Sequence, residues 1–77
     1  GEGKSLLDKE MLHTAQVFLE SGLNLSETAR RLYVHRNTLI YRLDKIQKTI
    51  GLDLRDFHEA TVFKVLTMAS HTQQEDM

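Results

Sequence analysis

Arg36, Asn37, Thr38 and Tyr41 fall within six consecutive residues, and Lys45 and Lys48 follow at helical spacing. Each of these side chains can touch a nucleic-acid duplex. An Arg guanidinium bonds bidentately to guanine, an Asn amide to adenine, and a Thr offers a hydroxyl and a methyl group. A Tyr hydroxyl can reach phosphate, or its ring can pack on sugar, and Lys ammonium groups suit phosphates. Such chemistry works only if one rigid element carries all of these groups on one face.

A helix supplies that face. Leu39, Leu43, Ile46 and Ile50 recur at spacings of four, three and four. At about 100° per residue they fall within roughly 60° of arc. With that stripe turned inward, Asn37, Tyr41, Asp44, Lys45 and Lys48 lie opposite, with Thr38 beside them. Arg36 and Arg42 flank the stripe and can reach outward on long stems. Residues near the N-terminus of a groove-bound helix go deepest. Arg36, Asn37, Thr38 and Tyr41 are therefore expected to read bases. Arg42, Lys45 and Lys48 are expected to contact phosphates.

The preceding segment is a short helix. Asn24 and Glu27 form an N-x-x-E start, and Leu25, Ala29 and Leu32 share one face. Arg30 and Arg31 point away from it, where the first helix of a helix-turn-helix crosses the DNA backbone, so both are candidate phosphate contacts. A salt bridge from Arg31 to Glu27 is the structural alternative. Tyr33, Val34 and His35 break the apolar phase between the two helices. His35 either donates to phosphate or caps the following helix. Backbone amides at the starts of both helices are further candidate phosphate ligands.

Two more helices complete the reading. The first runs over about 6–21, with Ser5 as N-cap, Leu7, Met11, Ala15 and Phe18 inward, and Gly22 at its end. The last runs over about 57–70 from an Asp56-x-x-Glu59 start, with Val62, Val65, Leu66 and Ala69 as its core face. The spans 25–32 and 36–50 lie between. The expected fold is all-α: a four-helix orthogonal bundle containing a helix-turn-helix. Residues 1–4 read as a scar or linker, 5–70 as the domain and 71–77 as a frayed tail. The chain opens on Gly1 rather than Met, so a longer parent protein is expected.

Composition agrees with a small binding domain. The 77 residues carry a formal charge of −1 and no Cys or Pro. Without Cys there is no disulfide framework and no thiolate ligand or nucleophile. No apolar run is long enough for a membrane span, and no basic-then-apolar start of a signal peptide is present. The net charge conceals an asymmetry. Between Leu23 and Leu52 six basic residues face two acids, a local net of +4, against −5 for the rest. Such a segment attracts a polyanion, or else is an ordinary solvated face.

Enzymatic and metal readings find no support. His13, His35, His58 and His71 include no pair at i, i+3 or i+4, so no metal site is expected. No Ser lies in a nucleophile elbow and no phosphate-binding loop is present, so neither catalysis nor a cofactor is expected. Leu6, Val17 and Ile40 lie off the main stripes, as scattered apolar surface or as an assembly face.

The run Asn24-Leu25-Ser26-Glu27-Thr28-Ala29-Arg30-Arg31-Leu32, then Tyr33-Val34-His35-Arg36-Asn37-Thr38-Leu39, then Tyr41-Arg42-Leu43, then Gly51-Leu52-Asp53-Leu54-Arg55, resembles the C-terminal helix-turn-helix of the PucR/CdaR (sugar-diacid regulator) family. That ordered set covers roughly half the chain. The resemblance implies a bacterial transcription regulator of the cytoplasm, acting at the nucleoid on double-stranded DNA. It also implies a homodimer or higher oligomer, with a small-molecule effector bound by regions outside this sequence. The competing reading is a helical interaction module that docks an acidic protein on the same basic face. Beyond Asp56 the match is loose, because Thr61, Lys64 and Thr67 interrupt the last helix's apolar pattern.

Overall fold

Side-chain caps set where the helices begin. In the computed structural model, which describes residues 7–75, the helices are α1 (Lys9–Glu20), α2 (Leu25–Leu32), α3 (Arg36–Ile50) and α4 (Phe57–Glu75). No strand occurs among the described residues. α1 starts later than the sequence suggests. Asp8 Oδ1 accepts the Met11 amide at 2.8 Å, so Asp8 is the N-cap and Ser5 lies outside the described residues. Asn24 Oδ1 accepts the Glu27 amide at 2.8 Å and starts α2. Asp56 Oδ2 accepts the Glu59 amide at 3.0 Å at the head of α4. The Glu59 carboxylate takes the Asp53 amide instead of closing a capping box on Asp56.

The C-termini rely on left-handed residues. Ser21 is the C-cap of α1, and Gly22 follows at φ 71°. The Gly22 amide donates to Leu19 O and the Leu23 amide to Phe18 O, a Schellman closure. α2 is closed by Tyr33 at φ 59°, a conformation that costs a side-chain-bearing residue energy. The Val34 amide returns to Ala29 O at 3.1 Å, so only three residues separate α2 from α3. That turn is the helix-turn-helix junction. The expected frayed segment from residue 71 instead continues as helix to Glu75.

The core lies where α1, α2 and α3 meet. Phe18, Leu39, Leu43 and Ile46 are fully buried, and Leu7, Met11, Ala15 and Ala29 join the same cluster. Burying each such large side chain contributes about 1.5–3 kcal/mol relative to leaving it in water. Val17 is also buried, which removes it from any assembly face. Leu54, fully buried, plugs the linker into this core.

α4 departs from the expected packing. Among its described side chains Ala60 and Phe63 are the buried ones, whereas Val65, Leu66 and Met68 are each more than half exposed. The expected face therefore turns Val65 and Leu66 to solvent, while Val62 on the same face is half-buried. The expected core residue Ala69 lies outside the described side chains.

Candidate nucleic-acid interface

The buried stripe of α3 fixes the rotation of the helix. Asn37, Thr38 and Tyr41 are exposed on the first turns, and Lys45 and Lys48 follow on the outer side. Arg36 stands exposed at the N-terminus, with its Nη1 3.4 Å from Ser26 Oγ at the start of α2. The start of α2 and the start of α3 are thus neighbours. His35 is the N-cap of α3: its Nδ1 accepts the Asn37 amide at 3.0 Å. A neutral ring that accepts at Nδ1 carries its proton on Nε2, so the outer edge remains a donor.

Capping narrows one expectation. The amides of Glu27 and Asn37 already serve Asn24 and His35, and that of Thr38 serves His35 O. These three amides are satisfied within the fold rather than offered to phosphate.

The arginines divide into two groups. Arg30 is exposed and pairs with Glu27, whose hydrogen bond raises the guanidinium's affinity for its proton. Arg31 does not pair with Glu27. It donates to Ser21 Oγ at 3.1 Å and Glu20 Oε1 at 3.3 Å, tying α2 to the end of α1.

Arg42 departs most from the sequence reading. Its side chain is only 15% exposed. Nη1 donates to Thr14 Oγ1 at 3.1 Å and Nη2 to Glu10 Oε2 at 3.0 Å. Arg42 therefore clamps α3 to α1 and stands apart from the outward set.

Arg55 belongs to this region although sequence reasoning gave it no role. Its guanidinium donates to Asp53 Oδ1 at 2.8 Å, Asp44 Oδ1 at 2.8 Å and Gln47 Oε1 at 3.2 Å. The hydrogen bond to Asp53 dominates in holding the Arg55 proton more tightly, and the same bond holds the Asp53 carboxyl below its ordinary range. Arg55 also neutralises Asp44, the one acid on α3. The Gly51-to-Arg55 motif contains this residue, but its partner on α3 lies eleven positions upstream and only the fold shows the contact. Tyr33, 95% exposed in the turn beside His35, was likewise given no role.

No group of three metal-ligating side chains occurs among the described residues, and no described helix is long and apolar enough to cross a membrane.

Residues 11–69 match the PucR C-terminal helix-turn-helix domain. The chain is 55% identical over 49 residues to the purine catabolism regulatory protein of Bacillus subtilis, covering 64% of this chain and 9% of that protein. It is 45% identical over 38 residues to the carbohydrate diacid regulator of Escherichia coli, covering 49% of this chain and 10% of that protein. The crystal structure of a regulator of polyketide synthase expression from Bifidobacterium adolescentis superposes with a TM-score of 0.82 at 32% identity. It covers 92% of this chain and 29% of that one. The chain thus spans about a tenth of the length of these two curated relatives. With a matching family domain across most of its length, the chain belongs to the PucR C-terminal helix-turn-helix family of transcriptional regulators.

Proposed function

We propose that this domain binds double-stranded DNA sequence-specifically, as the DNA-binding end of a bacterial transcriptional regulator, with α3 in the major groove. One observation carries the reading. The inner stripe of α3 is buried while Asn37, Thr38 and Tyr41 project from its first turns, beside Arg36. A helix N-terminus bearing these donors, held on a three-residue turn, has the docking geometry of a recognition helix. The names of the relatives, which are regulatory proteins, support the same class.

The roles follow from placement. Arg36, Asn37, Thr38 and Tyr41 read bases. Lys45, Lys48, Arg30 and the His35 Nε2 edge contact phosphates. Arg31 reaches phosphate from the α1–α2 junction while staying tethered to Glu20. Arg42 is a positioning residue: it sets the angle of α3 against α1. Paired half-sites are read by a homodimer, and the effector binds outside this segment.

The test is an amide NMR titration with a short duplex at low salt. Shifts clustered at Arg30, Arg31 and residues 35–48 are expected. Arg36→Ala or Asn37→Ala should then erase discrimination between sites, whereas Lys45→Ala should weaken all duplexes alike and lower the salt slope by about one. Equal effects of all three on random DNA would refute the assignment of roles. A complete absence of shifts would refute DNA binding and favour an acidic protein partner.

A further inference from the structure

We propose that Arg55 masks the charge of Asp44 on the duplex-facing side of α3, which leaves Lys45 and Lys48 free for phosphates. The proposal deepens the DNA-binding function above and rests on it. Asp44 is the one acid on α3. At about 100° per residue, Asn37, Tyr41, Asp44 and Lys48 fall within about 60° of arc. An acid on that side stands where phosphates must approach, and its side chain is 54% exposed.

An unattended Asp44 would act in two ways. It would repel phosphates, and it would capture Lys48, since an acid four residues before a Lys is the favourable order for an intrahelical pair. In the fold, no acid pairs with Lys45 or Lys48 among the described residues, and both lysines are exposed. Arg55 takes the Asp44 carboxylate instead, at 2.8 Å.

The guanidinium is braced for this task. Nε donates to Asp53 Oδ1 at 2.8 Å, and the Arg55 amide donates to the same oxygen at 3.1 Å. Nη2 then faces α3, where it meets Asp44 Oδ1 and, at 3.2 Å, Gln47 Oε1. Asp53 is itself fixed, its amide donating to Glu59 Oε1 at 2.6 Å, and the next residue, Leu54, is fully buried. A planar fork held at both edges keeps its geometry with little further loss of entropy. So held, and only 29% exposed, Arg55 supplies charge to Asp44 rather than reaching for phosphate itself.

Removing the mask adds a negative charge to the interface and takes a lysine from the phosphates. Duplexes should then bind about three- to tenfold more weakly, whatever their sequence, with the salt slope lower by about one. Site discrimination should persist, because Arg36, Asn37 and Thr38 lie about two turns away at the other end of α3.

Duplex affinities of the unmodified chain and its variants test this, with folding checked by circular dichroism. Arg55→Met should show the loss and the lower slope. Adding Asp44→Asn to it should restore affinity to within about twofold and recover the slope. Asp44→Asn alone, its acid already masked, should change affinity by less than about threefold. The Arg55 Nε–H resonance of the unmodified chain should stay in place as duplex is added. A double variant as weak as Arg55→Met, or Arg55→Met binding like the unmodified chain, would overturn the proposal. So would an Arg55 Nε–H shift as large as that of Arg36, or Asp44→Asn alone tightening binding by more than about threefold. These last two readouts decide the matter even where Arg55→Met does not fold. An unmodified chain that binds no duplex refutes the DNA-binding function, and this proposal with it. An unmodified chain that binds while the rescue fails refutes this proposal alone.

Discussion

Replacing Arg42 separates a clamp from a phosphate contact. In the clamp, truncation to Ala removes three contributions. The Thr14 hydroxyl is fully buried and loses the donor to its oxygen, at about 1 kcal/mol. The ion pair to Glu10, whose side chain is 65% exposed, contributes only about 0.5 kcal/mol through solvent screening. The stem, part of a side chain only 15% exposed, loses packing of about 1 kcal/mol, on the scale of ~0.8 kcal/mol per buried methylene with allowance for collapse of the site. The sum is about 2–3 kcal/mol. For a domain of this size each kcal/mol moves the melting temperature by about 4–8 °C, so Arg42→Ala should melt roughly 10–20 °C lower. Thermal unfolding followed by far-ultraviolet circular dichroism measures this. Arg42→Met keeps the stem and should recover about a third of the loss, while Glu10→Gln alone should cost little. A double-mutant cycle then isolates the ion pair. If Arg42→Ala melts within about 2 °C of the parent and instead lowers the salt slope of duplex binding by about one, the clamp is refuted and Arg42 is a phosphate ligand.

Two further outcomes follow from local geometry. Tyr33 sits at φ 59° and is 95% exposed, so Tyr33→Gly relieves left-handed strain without losing packing. After the entropy cost of glycine it should stabilise by about 0.5–1 kcal/mol, visible as a melting temperature several degrees higher; a lower one would show that the ring packs on the domain. Asp53, held below its ordinary range by the bond to Arg55, stabilises the fold above the unfolded carboxyl value of about 4, and that contribution disappears as pH falls through the lower folded value. Denaturant melts should therefore show Asp53→Asn less stable than the parent at pH 7, with the gap closing below about pH 4. A gap constant down to pH 3 would mean the carboxylate's charge is irrelevant.

The sequence by itself determined the features that local physics controls. Asn24 and Asp56 mark helix starts because their side chains reach amides three residues on. The stripe of Leu39, Leu43 and Ile46 fixes the rotation of α3, because only one arc of that helix is apolar. The outward position of Asn37, Thr38 and Tyr41 follows from that rotation, as does the family resemblance, which is written in these same residues. Tertiary structure decided the rest. α4 is apolar on more than one arc, so periodicity cannot choose between Val65 with Leu66 and Ala60 with Phe63. The choice shows only in the fold, where Ala60 and Phe63 are buried and Val65 and Leu66 are exposed. Arg42 sits at the edge of a stripe, where a long stem can turn either way. Its direction depends on Thr14 and Glu10, 28 and 32 residues distant, and no local pattern encodes partners that only folding brings to 3.1 and 3.0 Å.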